Sequence, residues 1–177
     1  MSLRVFILGV LCKENHHPYD IKKMFKRDNM EDVYKINDGS LYYTFEVLLK
    51  KDCIEKIEVL RDENRPEKTT YGITDKGRAT LEQEIYTNFK NFKDIQSLYS
   101  STLFLKYTDL TKLGFIIEEG IAKVRDKIQR NHDEWDILKQ DTPQTVHFIR
   151  DHVLRQMELE VEWLEKLLLH VRGHERM

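Results

Sequence analysis

Leu3, Ile7, Val10 and Leu11 recur at helical spacing, so the chain is predicted to open on an amphipathic helix. Asn15 to Pro18 breaks the pattern, and Pro18 suits the first turn of a second helix, where its missing N–H costs nothing. That helix packs through Ile21, Met24 and Phe25 and shows Lys22, Lys23, Lys26 and Arg27 on its other sides. A loop is expected from Asn29 to Ile36. A third helix follows, with Asn37 as a plausible N-cap and Asp52 as a left-handed stop. Its apolar row is Leu41, Phe45 and Leu48. Gly39, Tyr43, Glu46 and Lys50 fall opposite, flanked by Ser40 and Val47.

The period then changes. Ile54, Ile57, Val59 and Leu60 are β-prone with charges between them, 61–68 is polar, and 69–74 reads as a return strand. This predicts a hairpin with a long charged tip. Thr74 or Asp75 caps a fourth helix with the face Leu81, Ile85, Phe89 and Phe92. Ser97 to Tyr107 reads as a short apolar helix. Thr108 is expected to cap the next helix, which carries Leu110, Leu113, Ile117, Ile121, Val124 and Ile128, then Trp135 and Leu138. Thr142-Pro143 restarts the chain. The last helix repeats the stripe at Val146, Ile149, Val153, Met157, Val161, Leu164, Leu168 and Val171.

Three helices followed by a hairpin is the order of a winged helix-turn-helix, whose third helix enters the major groove. The expected fold is therefore mostly α with a small β-hairpin. Residues 1–75 form the winged helix-turn-helix, and 76–177 form a linker helix and a C-terminal helical dimerisation domain. A first turn as bare as Asp38-Gly39-Ser40 lets backbone approach a phosphate, and a helix N-terminus favours that anion. Tyr42 and Tyr43 add hydroxyls beside it. Tyr43 is the one expected outermost; Tyr42 is equally readable as a packing residue.

Composition changes this picture little. Net charge is −2, with 29 Lys and Arg against 31 Asp and Glu, so only local placement of charge can support nucleic-acid binding. Cys12 and Cys53 stand alone, which suits packed thiols in a reducing, cytoplasmic setting. The apolar run at the start is cut by Lys13 and Glu14, too early to span a bilayer. No nucleophile elbow, phosphate loop, dinucleotide fingerprint or zinc-protease motif occurs, so an enzyme has no positive support. His170 and His174 share a helix face, but no cysteine or carboxylate cluster joins them. No metal and no cofactor are expected.

At this point the residues match a family. The chain resembles PadR-like transcriptional regulators in Phe6 to Leu11, Pro18-Tyr19-Asp20-Ile21, Gly39-Ser40-Leu41-Tyr42 and Leu48 to Ile54. The match continues in Tyr71 to Arg78 and in the pattern around Arg155 to Leu169. The resemblance implies a homodimeric repressor that binds a palindromic operator in double-stranded DNA and is released by a small, often aromatic, effector. It implies DNA contacts from Ser40 and Tyr42, from Lys22 and Lys23, and from Arg65 and Lys68 on the wing. The residue reading adds Lys26, Gly39 and Tyr43. The chain departs from the family at Tyr43, where proline is usual, at Glu46 and Val47, where bases are usual, and at Asp52, where glycine ends the helix. Phe89, Phe92, Tyr99, Phe104, Phe115, Trp135 and Trp163 are candidates for core or for an effector pocket, with no choice among them. Two rival readings remain: a winged helix that binds protein rather than DNA, and a small helical enzyme.

Overall fold

The structure is a computed structural model that describes residues 2–27, 36–62, 65–138 and 142–174. At Arg27, 60–62, 65–68, Leu138 and His174 it describes the backbone alone. The loop expected over Asn29–Ile36 falls, except for Ile36, outside the described residues, as do Glu63 and Asn64 of the hairpin tip. Packing divides the chain into two compact units, Met1–Thr108 and Asp109–Met177. The sequence expectation placed the division after Asp75; the division by packing groups the fourth helix and the turns after it with the first unit.

The first unit is built around α1 (Leu3–Leu11). Eight of its nine residues are buried, so it is a central helix and not the amphipathic one expected. The reason is coverage from several sides: α3 (Asp38–Lys50), β2 (Arg65–Ile73), α4 (Asp75–Lys90) and the short α5 (Tyr99–Thr102) all pack on it. Gly9 permits one of these contacts. A Cβ there would lie 2.3 Å from the Phe104 ring, which also meets Phe6 edge-on at 6.0 Å.

The second helix, α2 (Pro18–Arg27), begins at the proline, as its spacing predicted. His17 helps cap it: its Nδ1 accepts from the Tyr19 N–H at 3.1 Å. α3 ends as expected of a left-handed stop. Asp52 has φ 55°, and the Cys53 N–H donates back to the Leu48 carbonyl at 2.9 Å, a Schellman-type closure.

β1 (Ile54–Asp62) and β2 pair antiparallel, from Ile54 opposite Ile73 to Asp62 opposite Arg65. The strands therefore run well into the stretch expected to be tip. A ladder is held by backbone groups, so polar side chains do not end it. His16 extends the sheet by one residue. Its N–H donates to the Tyr71 carbonyl and its carbonyl accepts from the Tyr71 N–H, both at 3.0 Å.

Thr74, not Asp75, caps α4: its Oγ1 accepts from the Gly77 N–H at 3.0 Å and donates to the Asp52 carbonyl at 2.7 Å. Thr74→Ala removes both bonds. It is expected to lower stability by about 1 kcal/mol, perceptible as an earlier urea midpoint at unchanged slope. α4 ends before Phe92, and its buried face is completed by Tyr86, whose hydroxyl donates to Glu82 Oε1 at 2.6 Å. The single helix expected over Ser97–Tyr107 is instead a 3-10 turn at Ile95–Leu98, then α5, then a 3-10 turn at Leu105–Tyr107. Buried polar groups explain the irregularity. Ser100 accepts from the Ser2 N–H, and Ser101 from Asn88 Nδ2, both at 3.0 Å.

The second unit is a pair of long helices, α6 (Leu110–Leu138) and α7 (Gln144–His174). Asp109 starts α6 by accepting from the Lys112 N–H at 3.1 Å; Thr108, expected in that role, donates its hydroxyl to Leu105 instead. Ion pairs Glu118–Arg172 and Arg125–Glu165, with Trp135 edge-on to His147, set an antiparallel register. The α6 stripe is buried at Leu113, Ile117, Ile121 and Val124. On α7 the buried positions are Leu154, Leu164, Leu167 and Val171, whereas Val146 and Ile149, expected inside, are exposed.

Candidate nucleic-acid interface

α3 seats itself through three side chains. Leu41 and Leu48 are fully buried and Phe45 nearly so, with the Phe45 ring 5.0 Å from that of Tyr71 on the hairpin. This fixes which face is left outside. Gly39, Tyr42, Tyr43, Glu46 and Lys50 are exposed, and Ser40 and Val47 are half-buried. Tyr42 is 46% exposed and Tyr43 68%, so neither ring serves as core.

The first turn of α3 is tied down from within. Asn37 Oδ1 accepts from the Ser40 N–H at 2.7 Å, and the Ser40 hydroxyl donates to the Asn37 carbonyl at 2.9 Å. Ser40 therefore shapes the turn with its side chain. The earlier N–H groups of a helix have no intrahelical acceptor, and a residue without a Cβ, Gly39, stands among them.

The α2 lysines reach this turn unequally. Lys22 Nζ lies 2.5 Å from Asp38 Oδ1, which locks α2 to the start of α3. Asp38 is 63% exposed, so the pair is of the weak, solvent-screened kind, and an incoming anion can compete for the ammonium. Lys23 lies 4.7 Å over the Tyr19 ring and is exposed, and so is Lys26. Arg65 and Lys68 have their backbones in β2, opposite Asp62 and Leu60; their side chains lie outside the described residues. Arg27 shares that limit.

The cysteines are packed. Cys53 is buried, with its Sγ 3.6 Å from Thr80 Oγ1. Burial pushes the Cys12 thiol up, and Arg78 and Lys106 only partly oppose this. Among the described residues no group of three or more His, Cys, Asp or Glu could hold a metal, and no helix is long and apolar enough to cross a membrane.

Sequence reading missed His16 and His17. The first bridges to the hairpin through its backbone and the second caps a helix through its ring nitrogen, and spacing reveals neither role. It also missed that Asp38 would occupy Lys22, although an acid in a first turn beside a basic helix is the available signal.

Three helices, a hairpin on the third and an exposed, partly basic outer face define a winged helix-turn-helix. Residues 7–83 match the family model described as "Transcriptional regulator PadR-like family". Over this domain the chain is similar to the PadR-like family of transcriptional regulators. Among solved structures it is similar to Bacillus subtilis PadR in complex with operator DNA, at 19% identity, 96% of this chain, 98% of that one and TM-score 0.43. It is similar to a protein from Streptococcus mutans at 25% identity, 95% of this chain, 99% of that one and TM-score 0.44. A PadR-like transcriptional regulator from Bacillus cereus gives 22% identity, 97% of this chain, 98% of that one and TM-score 0.39. The comparison with curated proteins gives no match.

Proposed function

We propose that the chain is a sequence-specific DNA-binding repressor that works as a symmetric homodimer and leaves its operator when a small, aromatic effector binds. The observation that carries the DNA reading is the outer face of α3: a bare first turn and two exposed tyrosines, with Lys22 of α2 paired to that turn and Lys23 and Lys26 exposed on the same helix. Each recognition helix would enter one major groove, with half-sites about one helical turn apart or a multiple of it. Lys22, Lys23, Lys26 and Tyr42 would meet phosphates or base edges, with Gly39, Ser40 and Tyr43 at the first turn and Arg65 and Lys68 on the wing. The helical part of the chain would pair two copies. It would also hold the effector, which shifts the balance only if it binds the free and DNA-bound states with different affinity.

Fluorescence anisotropy with the chain's own upstream DNA and a scrambled duplex, across a salt series, tests this. Tighter binding to the upstream DNA that weakens steeply with salt is expected. Tyr42→Ala and Lys23→Ala are each expected to weaken that binding by roughly tenfold, about 1.4 kcal/mol, without altering the thermal melt. Normal binding by both variants would refute the assignment of α3 and α2.

A second reading draws on one observation. Glu46 stands exposed on the outer row of α3, where it repels phosphate. A winged helix that binds protein and not DNA would tolerate charge reversal at Lys22, Lys23 and Lys26.

A further inference from the structure

α3 is flanked by cations on two sides, and only one flank has a role above. Asp38 and Tyr42 lie on the flank that α2 meets, through the Lys22–Asp38 pair. Ser40, Thr44, Val47 and Lys51 follow each other at helical spacing on the other flank. There the start of α1 forms a recess of about 240 Å³ with Tyr43, Thr44 and Val47. Arg4 links it to a second recess of about 490 Å³ at the end of α3, lined by Lys50, Lys51, Lys76 and Glu84 among others. The two recesses share Arg4 and lie along this edge of the helix, a furrow in two parts.

Charge in the furrow is not balanced. Glu84 is taken by Arg4 at 2.7 Å, and Asp52 by Lys76 at 3.3 Å. Lys50 and Lys51 are exposed and have no carboxylate partner among the described residues. Both therefore stand in excess, next to carboxylates that are already engaged.

Their position matters more than their number. Lys50 is on the same outer row as Gly39, and the helix rises roughly 16 Å between them. The major groove is only about 12 Å wide. Where such a helix enters by its first turn and crosses the groove at an angle, its far end is carried past the bases toward a phosphate wall. α2 stands against one wall, and the furrow lies on the other side of the helix.

We propose that Lys50 and Lys51 form a second phosphate-contact patch, which grips the DNA strand across the groove from the one that α2 meets. The proposal rests on the DNA-binding reading above. It also supplies cations one turn beyond Glu46 and Val47, where the family's usual bases are missing.

Phosphate contact is independent of sequence, so the test needs no operator. The full chain, a Lys50→Gln/Lys51→Gln variant and a Lys90→Gln/Lys93→Gln control are titrated against one short random-sequence duplex from low to moderate salt. The control removes the same charge from the exposed last residue of α4 and the segment just after it. The Lys50/Lys51 variant is expected to bind tenfold or more weakly at low salt, with a log–log salt slope shallower by about two units. The control is expected to follow the parent chain, and all three to melt alike. A Lys50/Lys51 variant that keeps the parent's slope while Lys23→Ala loses affinity would overturn this patch and leave the DNA reading standing. Equal loss in the control would also overturn it, by reducing the effect to net charge. A parent chain with no affinity for the duplex would remove the DNA reading and the patch together.

Discussion

Gly77→Ala is expected to destabilise the first unit by about 2–3 kcal/mol, although alanine is the better helix former. A Cβ at position 77 would lie 2.0 Å from the Cys53 carbonyl oxygen and 2.7 Å from Ile73 Cγ1. The helix-propensity gain of the exchange is about 1 kcal/mol. The clash is with backbone, which cannot swing aside as the end of a long side chain can, and overpacking of this kind costs about 1–3 kcal/mol or more. The surroundings make relief harder. The same Cys53 carbonyl accepts from the Thr74 N–H at 3.1 Å, and Thr74 in turn caps the Gly77 N–H. Moving α4 outward by the width of a methyl group breaks both. For a chain of this length the loss corresponds to a melting temperature lower by roughly 4–12 °C. Calorimetry on the variant reads it directly, and a midpoint equal to or above the parent's would show that propensity wins.

Deleting the chain from Pro143 onward is expected to give a monomer or an insoluble product. The ion pairs at Glu118–Arg172 and Arg125–Glu165 place Leu164, Leu167 and Val171 beside Ile117, Ile121 and Val124. All six are at most 9% exposed. Uncovering the three α6 side chains alone forfeits roughly 6 kcal/mol, at about 2 kcal/mol for each aliphatic side chain. That is comparable with the whole margin of a small domain, about 5–15 kcal/mol. α6 should then lose its helix, or its stripe should find other chains. Helix content by circular dichroism and mass by sedimentation report the two outcomes. A truncated chain that still sediments as a stable dimer would show that pairing of copies does not need α7.

The parts of this fold that sequence revealed are those with one covered face. α3 is the best case: Leu41, Phe45 and Leu48 at helical spacing, an asparagine before and a left-handed aspartate after are all local signals, and each corresponds to a feature of the structure. α1 was legible as a helix but not as a central one. Its burial on further sides is decided by α4, α5 and β2, which lie far along the chain. The region 95–107 failed for a different reason. Its polar side chains are held inside by Ser2 and Asn88, so its composition reads as helix while its hydrogen bonds bend it into turns. On α7 the pattern named Val146 and Ile149 as inner positions because it extended one period to the helix start, where His147 and Arg150 are the residues that meet Trp135 of α6. Of the candidate interface, the outer row of α3 was legible from spacing. The pairing of Lys22 with Asp38 and the furrow beside Arg4 depend on how separate helices meet, which spacing along one helix does not specify.

The one-residue bridge at His16 decides which border of the hairpin is open. It occupies the far side of β2 near the hairpin base, so β2 is an inner strand there and β1 is the edge. An uncovered edge is a template onto which another chain can add a strand. β1 presents exposed Glu55, Lys56 and Glu58, and its register shifts between Lys56 and Glu58 and again between Leu60 and Asp62. Charges and irregular register are both poor partners for a flat incoming strand. The wing can therefore stand out from the body of the protein without inviting copies of itself to polymerise.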